Sequence, residues 1–324
     1  MDQNNSDIKP TSLRISTMTA TCKINSNINL EEAAKMFIEI IKEKKDIKYI
    51  EHGKTTAGIS NKNISEKKAA KKKVFYNQMT VLVNLYEGKS NNIKLFNNGA
   101  ISMTGLKSVE DGEKAVEIVL KYMKTNDLIL ENKDATVNDF KIVLINSDYY
   151  IGYEIKRSEL HQLLINKYQI FSSYEPCIYP GVNSKYYWNQ DYTDSSKYKR
   201  GVCYCTNPCN GKGEGSGNGN CKKVTIAIFQ SGKLIITGAK TYVQINDAYD
   251  FINNVFRDHY QSVKREIPAF LLKEQQEKDA REAKVKEEKE KNREAKKIVK
   301  KQNTYPEKLT PPKGATIRWI KVEK

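Results

Sequence analysis

Two stretches of this chain are nearly the same. LFNNGAISMTGLK occupies residues 95–107, and IFQSGKLIITGAK occupies residues 228–240. Each contains an apolar run with an aromatic end, a short turn with glycine, and a second apolar run ending in Thr-Gly-x-Lys. The offset of 133 residues, from Lys107 to Lys240, indicates an internal duplication and a pseudo-symmetric molecule. A partner with approximate twofold symmetry fits such a molecule, and duplex DNA is the first candidate.

Composition sets the class of protein. The 324 residues leave room for about two domains, and a hydrophobic content of 39% is enough for a core. The balance of 55 basic against 39 acidic residues gives a net charge of +16, which favours a polyanionic partner or an anionic membrane surface. There is no run of about 18 apolar residues and no signal-peptide pattern at the N-terminus. We therefore predict an intracellular protein with reduced cysteines and no membrane partner.

Each copy of the duplication predicts the same order of elements: strand, helix, several antiparallel strands, helix. One face of each strand set must pack on helices, and two such units side by side make one long curved sheet. The predicted helices are 27–45 (with Asn29 as N-cap), 108–124 (with Ser108 as N-cap), 155–168 and 242–260. The predicted strands are 13–24, 79–88, 92–99, 100–107, 140–147, 184–188, 224–232 and 233–240.

These patterns divide the chain into four parts. The charged C-terminal part has high helix propensity and carries +8 of the net charge from residue 264 onward. It is interpreted either as a solvated helix or disordered tail, or as a basic arm that touches DNA flanks or a partner. The predicted parts are a flexible N-terminus 1–12, a first repeat 13–133, a second repeat 134–262 with a Cys/Gly-rich insertion 189–222, and a charged helical extension and tail 263–324.

The same stretches carry a family resemblance. SSYEPCIYPG (172–181), followed by IAIFQSGKLIITGAK (226–240), resembles the second repeat of the TATA-box-binding protein (TBP) family, with its pattern S-Y-E-P-x-x-F-P-G, I-F-x-S-G-K and a T-G-A-K end. LFNNGAISMTGLK resembles the matching part of the first repeat. The resemblance spans about residues 13–260. The Asn/Lys-rich style and the cysteine insertion are similar to the TBP-like proteins of large DNA viruses.

The resemblance implies an α+β saddle. Ten antiparallel strands from two pseudo-symmetric repeats would form one curved DNA-binding sheet, with helices on the convex side. Binding would occur in the minor groove of A·T-rich DNA, where aromatic side chains wedge between base steps and bend the duplex. No cofactor would be required.

The resemblance also implies the residues that contact DNA. Phe229 and Tyr179 match the second aromatic wedge, and Phe96 matches the first. For the partner of Phe96, Phe75 and Tyr76 lie close in sequence, but an ungapped alignment places Gln78 there. The implied floor positions are Thr104, Thr237, Ser102 and Ile235. The residues nearest to the family's central asparagines are Asn146 and either Ser16 or Thr17. The implied phosphate contacts are Lys107, Lys233 and Lys240, and Ala100 stands where a further lysine is expected. Ordinary structural roles remain the alternative: strand-end aromatics are usually core residues, threonine favours strands and edge lysines are usually solvated.

Four of the six cysteines lie within nineteen residues: Cys203, Cys205, Cys209 and Cys221. The glycine-rich segment between them has no apolar content with which to fold. A structural zinc could hold it; the alternatives are a loop with free thiols and a disulfide-bonded loop. A phosphate-binding loop is disfavoured because no G-K-[ST] follows. The insertion is expected near one stirrup, an end loop of the saddle, and Cys22 and Cys177 are expected in the core or in strands.

No catalytic motif stands out, and the chain has only three histidines. We therefore predict a DNA-bending transcription initiation factor rather than an enzyme, with no small-molecule substrate. The resemblance implies a transcription factor IIB-like protein and RNA polymerase as partners. It implies a location at the site of transcription, in a host nucleus or a cytoplasmic viral factory, or packaging in the virion. The alternatives are a DNA-packaging or scaffold protein without TATA preference, and an enzyme built on the same helix-on-sheet unit.

Overall fold

The structure, a computed structural model, describes residues 10–43, 46–60, 75–86, 89–190, 197–206, 209–266, 281, 283–285 and 287–288. The chain divides into two compact units, residues 1–265 and residues 266–324. In the second unit, the described residues 281, 283–285 and 287–288 are helical. The rest of the predicted extension beyond residue 266 lies outside the described residues, as does the N-terminus up to residue 9.

One open antiparallel sheet forms the frame of the first unit. In chain order its described strands are β1 (Arg14–Ile24), β2 (Ile47–His52), β3 (Thr55–Gly58), β4 (Gln78–Tyr86), β5 (Lys89–Phe96), β6 (Ala100–Leu106), β7 (Val137–Tyr150), β8 (Phe171–Ser173), β9 (Val182–Trp188), β10 (Lys222–Ile228) and β11 (Lys233–Ala239). Across the sheet the order is β3-β2-β4-β5-β6-β1-β7-β11-β10-β9-β8. The predicted α+β class with a single antiparallel sheet is confirmed.

Helices pack along the sheet in both halves. The described helices are α1 (Leu30–Glu43), α2 (Val109–Met123), α3 (Arg157–Asn166), α4 (Tyr242–Asp258) and the short α5 (Tyr260–Val263). In the first half, α1 contacts β2 to β4, and α2 contacts β4 to β6. In the second half, α3 contacts β8 and β9, and α4 contacts β9 to β11. None of the described helices has the length and apolar character needed to cross a membrane.

The helix starts follow the predicted capping residues. The Oδ1 atom of Asn29 accepts the Glu32 N–H of α1 at 3.3 Å. Ser108 Oγ accepts the Asp111 N–H of α2 at 3.2 Å. Together these contacts confirm two predicted N-caps. The N-cap of α4 is Thr241, 133 residues after Ser108, and it forms a reciprocal capping box with Gln244.

Alternation along each strand gives the sheet two different faces. In β10, Val224, Ile226 and Ile228 are buried in the core beneath the helices. Lys223 and Thr225 alternate with them and are only partly buried, so they point to the opposite face. We call this second face, which the helices do not cover, the open face.

The duplication is visible in the pairing at the centre of the sheet. Thr104 of β6 lies opposite Thr19 of β1, and Thr237 of β11 lies opposite Asn146 of β7. Strands β1 and β7 pair with each other, so the pseudo-twofold axis passes between them. By this register Asn146 corresponds to Thr19, rather than to the Ser16 or Thr17 expected from the sequence.

Two details of the sheet differ from expectation. The resemblance implied ten strands, whereas the described residues contain eleven. The additional strand is β3, which joins β2 through a tight turn where Gly53 has φ of +58°. Neither this hairpin nor β8 was predicted, because β3 and β8 are only four and three residues long and lack a clear apolar alternation.

Candidate nucleic-acid interface

The centre of the open face is lined by small, mostly polar side chains. They alternate along their strands with the buried core residues. Hydroxyl groups predominate, so this floor can donate hydrogen bonds without presenting bulky side chains. Its members are Thr17, Thr19 and Thr21 of β1, Asn92 of β5, Ser102 and Thr104 of β6, Asn146 of β7, Thr225 of β10, and Ile235 and Thr237 of β11.

The predicted floor residues are brought together at the pseudo-twofold axis. Thr237 Oγ1 is hydrogen-bonded to Asn146 Oδ1, and Asn146 in turn lies opposite Thr17. In the matching row, Thr104 lies opposite Thr19. The structure therefore places every predicted floor residue on one surface, and it adds Thr19, which sequence reasoning missed because it depends on register.

An aromatic pair flanks this floor in the second half. The rings of Tyr179 and Phe229 meet edge to face, with centroids 5.8 Å apart, and 38% of Tyr179 is exposed. The loop before β9 positions Tyr179, whose N–H donates to the Glu175 carbonyl at 2.8 Å. At Gly181, a Cβ atom would lie 2.9 Å from the Tyr179 ring and 3.2 Å from the Phe229 ring. Glycine therefore lets both rings stand together at the end of β9 and β10.

In the part of the first half that the structure describes, the aromatic residues are arranged differently. Phe96 lies opposite Gln78 in the β4–β5 ladder. Tyr76 lies two residues before Gln78, just as Tyr179 lies two residues before Gly181. The strand register therefore makes Tyr76, rather than Phe75 or Gln78, the counterpart of Tyr179. Among the described residues no aromatic ring pairs with Phe96.

Both aromatic candidates beside Phe96 are exposed, 53% for Phe75 and 64% for Tyr76. A Cβ atom at Gly53 would come within 2.9 Å of the Tyr76 ring. Tyr76 therefore rests against the β2–β3 turn instead of against Phe96. The sequence could have indicated Tyr76 through its spacing from β4, but only the strand register establishes the equivalence.

An acidic side chain that the sequence did not single out lies on the open face. Asp148 of β7 accepts two hydrogen bonds from Arg14, at 2.8 and 2.9 Å, and one from Ser16. Burial acts to raise the pKa of Asp148, but the hydrogen bonds from Ser16 and Arg14 outweigh it and lower the pKa. Lys233 Nζ lies 3.9 Å from the same carboxylate, so part of the positive charge of Lys233 is already balanced by Asp148.

The two other predicted phosphate contacts are exposed at equivalent places. Lys107 follows β6 and Lys240 follows β11. Lys107 Nζ donates to the Ser16 carbonyl, which directs it toward the sheet centre. Their geometry leaves both ammonium groups accessible to an anion.

A basic cluster extends this charge in the second half. Lys185 Nζ donates to Asn183 Oδ1 at 2.8 Å and to Thr225 Oγ1 at 3.0 Å on the open face. Burial, followed by the charge of Lys223, lowers the pKa of Lys185. Burial, followed by the charge of Lys240, lowers the pKa of Lys222. Lys185 of β9 and Lys223 of β10 thus lie close together on the open face, and Lys222 and Lys240 add charge at the same end of β10.

The four insertion cysteines form a compact cluster. Their Sγ atoms all lie within 4.8 Å of one another. The shortest separations are 3.3 Å between Cys209 and Cys221 and 3.5 Å from Cys221 to each of Cys203 and Cys205. This arrangement can hold a metal ion. We call the segment that carries it, residues 203–221, the cysteine segment.

The position of the cysteine segment corrects the expectation. It belongs to the connection between Trp188 and Lys222, which pair at one end of β9 and β10. The aromatic pair lies beyond the Val182–Ile228 pair at the other end, about 20 Å away along seven residues of strand. The insertion is therefore not beside the stirrup loop that holds Tyr179.

The remaining two cysteines differ from each other. Cys22 of β1 is buried, and burial raises its pKa to about 12, which agrees with the predicted core role. Cys177 is exposed in the loop before β9, so the prediction of a core or strand position is wrong there.

A histidine–serine contact bears on the enzyme alternative. His161 Nδ1 lies 3.0 Å from Ser172 Oγ, which also accepts from Ser184 Oγ at 3.3 Å. Both serines are buried, so a substrate could not reach either hydroxyl. The contact is a satisfied polar link between α3, β8 and β9, and it does not resemble an activated nucleophile.

Comparisons with known proteins point to one family. A family model described as "Transcription factor TFIID (or TATA-binding protein, TBP)" matches residues 218–259. The TATA-box-binding protein-like protein of Acanthamoeba polyphaga mimivirus is 30% identical over 270 residues, covering 78% of this chain and 67% of that protein. The TATA-box-binding protein of Emericella nidulans is 26% identical over 178 residues, covering 55% of this chain and 50% of that protein. The Dictyostelium discoideum TATA-box-binding protein is 28% identical over 174 residues, with coverages of 53% and 63%.

Among solved structures, Methanococcus jannaschii TBP matches with a TM-score of 0.43 and 19% identity, covering 76% of this chain and 99% of that chain. The present chain thus spans between half and two thirds of the length of the three sequence relatives. The mimivirus match covers more than three quarters of the chain and two thirds of that relative. This chain therefore belongs to the TATA-box-binding protein family and resembles its viral members.

Proposed function

We propose that this protein is a transcription initiation factor that binds A·T-rich promoter DNA in the minor groove and bends it. The observation that carries the proposal is the Tyr179–Phe229 pair, standing partly exposed beside a floor of small polar residues. Minor-groove binders use such side chains as wedges between base steps, which kinks the duplex and brings more of its surface onto the protein.

The chemistry of the floor favours A·T pairs. In the minor groove both A·T and T·A present only acceptors, adenine N3 and thymine O2. Threonine hydroxyls such as those of Thr104 and Thr19 can donate to these acceptors, whereas the hydroxyl proton of Thr237 is given to Asn146. The exocyclic amino group of guanine would project into the same space, so G·C pairs are disfavoured.

The aromatic pair supplies the bending step. Unstacking a base step costs a few kcal/mol, which the extra contact along the bent duplex offsets. Stacking on an aromatic side chain contributes about 1–3 kcal/mol per base. Basic groups around the floor, led by Lys240 and Lys107, add contacts to phosphates that position the duplex without reading its sequence.

Partners and cofactors follow from the same proposal. Family membership supports recruitment of a transcription factor IIB-like protein and RNA polymerase, at the site of transcription in a host nucleus or a cytoplasmic viral factory. The DNA contact needs no cofactor. The metal that the four cysteines can hold is proposed to be a structural zinc, because thiolates suit zinc and the cluster lies away from the aromatic pair.

A second candidate function is supported by the side chains that break the polar floor. Leu144 lies opposite Thr19, and the ionised Asp148 lies opposite Ile235. Both reduce the number of groups that could donate to base edges. A DNA-binding or scaffold protein without TATA preference would tolerate them.

The deciding experiment measures binding and bending of duplexes with and without an A·T-rich core across a salt series. Preferential bending of A·T-rich duplexes, lost in Phe229→Ala but kept in Tyr242→Ala on the helix side, supports the first function. Salt-sensitive binding without preference supports the second, because phosphate contacts carry no sequence information. Absence of binding to both duplexes would refute both DNA-binding functions.

A further inference from the structure

The cysteine segment has almost nothing apolar with which to hold itself in place. Between Cys209 and Cys221 the residues are glycine, asparagine, serine, lysine and glutamate. Even so, Gly213, Gly217 and Gly219 are buried in the structure. The compact shape of the segment must come from the four sulfur atoms and from backbone hydrogen bonds.

The sulfur geometry matches a tetrahedral metal. Four thiolates at the usual zinc–sulfur distance of about 2.3 Å lie about 3.8 Å from one another. The hydrogen-bonded sulfur pairs span 3.3 to 3.9 Å, close to that value. Free thiols gain little from such crowding, whereas Zn²⁺ offsets half of the charge of four thiolates and fixes their arrangement.

The backbone around the cluster is shaped for thiolates. Gly213 N–H donates to Cys209 Sγ, and Gly219 N–H donates to Cys205 Sγ, both at 3.3 Å. Such N–H contacts stabilise negative sulfur and orient metal ligands. At Gly217, a Cβ atom would lie 2.8 Å from Cys205 Sγ and closer still to the Cys209 side chain, so the chain can pass over the cluster only as glycine.

The cysteine segment is attached to the interface at two points. Tyr187 Oη donates to the Gly211 carbonyl at 2.7 Å, and Lys223 N–H donates to the Gly213 carbonyl at 2.8 Å. Tyr187 and Lys223 are direct neighbours across β9 and β10, and they belong to the row of the open face next to Lys185 and Thr225. The segment therefore supports one end of the basic cluster.

We propose that Cys203, Cys205, Cys209 and Cys221 bind one Zn²⁺, and that the metal holds Tyr187 and Lys223 in place as an extension of the DNA interface that contacts backbone phosphate. The coupling to DNA rests on the proposed function, whereas the metal site stands on the sulfur geometry alone. Zinc with four thiolates carries a net charge of −2, so the metal acts by positioning Lys223 and not by attracting DNA.

The test compares full-length variants for zinc content, melting temperature and DNA binding. Cys205→Ser removes a ligand and is expected to lower bound zinc well below one equivalent and to reduce the melting temperature. Cys177→Ser, an exposed cysteine outside the cluster, should change neither. Gly217→Ala should also lose zinc by steric conflict, whereas the neighbouring Ser216→Ala should retain it. Zinc below about a tenth of an equivalent in wild-type protein refolded with zinc would overturn the metal site.

Salt-dependent DNA affinity tests the coupling separately. Lys223→Gln should keep its zinc and lower the salt slope by about one phosphate contact. Cys205→Ser should lower it by a similar amount, and Cys177→Ser should leave it unchanged. A Cys205→Ser variant that loses zinc but keeps the wild-type slope would refute the coupling while leaving the metal site intact. Failure of the wild type to bind DNA, with zinc still bound, would refute the proposed function and, with it, the coupling.

Discussion

The two halves of the sheet share a backbone pattern but carry different side chains at matching positions. In the second half Tyr179 meets Phe229, whereas in the first half Tyr76 leans on the β2–β3 turn, away from Phe96. Strand pairing tolerates these changes because the core side of each strand keeps its apolar residues. The open face is therefore free to differ, and that freedom can orient the protein on an asymmetric site.

Charge follows the same division. Ala100 occupies the position in the first half that Lys233 occupies in the second. The lysines of the basic cluster belong to β9, β10 and the end of β11, all in the second half. The second half also holds Asp148 where β1 has Thr21. Although Asp148 opposes binding, we expect the aromatic pair and the lysines of the second half to make it contribute more than the first half to the affinity for DNA.

The aromatic residues give the largest expected effect. Phe229→Ala should weaken binding to an A·T-rich duplex by roughly tenfold to hundredfold and reduce the bend, because about 1–3 kcal/mol of stacking is lost per base. Phe96→Ala should cost less, since no ring of the described residues supports Phe96. Gel-shift titration and energy transfer between labelled duplex ends measure both effects. An equal or larger loss in Phe96→Ala would contradict the proposed inequality.

The acidic residue on the open face gives an intermediate effect. Its lowered pKa keeps Asp148 ionised at neutral pH, so it repels phosphates. Asp148→Asn should raise affinity about fivefold at low salt, since two charges about 4 Å apart in water interact by about 1 kcal/mol. The reciprocal change in the first half, Thr21→Asp, should lower affinity by a similar factor. Titration at two salt concentrations checks this, and weaker binding by Asp148→Asn would show that its contact with Arg14 matters more for shape than for charge.

The helix starts give the smallest effect. The third residue of α2 is Asp111, paired with Lys89, whereas α4 has the uncharged Gln244 there. Burial acts to raise the pKa of Asp111, but hydrogen bonds from Lys89 and Ser108 outweigh it and lower the pKa. Its stabilisation is therefore complete above the unfolded-state pKa of about 3.9 and is lost as pH falls through the lower folded-state value.

Hydrogen exchange measured between about pH 5 and pH 2 tests this difference. After correction for the intrinsic exchange rate, protection of α2 should fall with pH more than protection of α4. Asp111→Asn should remove the difference. Equal pH dependence of the two helices in the wild type would contradict it.

Much of the molecule could be predicted from local patterns. Apolar alternation located most strands, and Ser108 and Asn29 located helix starts, because these signals depend on residues only a few positions apart. The tight spacing of Cys203, Cys205 and Cys209 likewise indicated a shared site. The short edge strands β3 and β8 were not predicted because three or four residues carry too little periodicity, and pairing within the sheet decides whether such strands form.

The sequence by itself determined the duplication, the antiparallel α+β class, the family and the two residues of the second-half aromatic pair, because each of these depends on contiguous motifs. Only the tertiary structure decided that Tyr76 corresponds to Tyr179, that Thr19 corresponds to Asn146, that Asp148 meets Arg14, and that the cysteine segment lies at the opposite end of β9 from the aromatic pair. These are questions of register between strands far apart in the chain, and a shift of one residue would move each side chain to the other face.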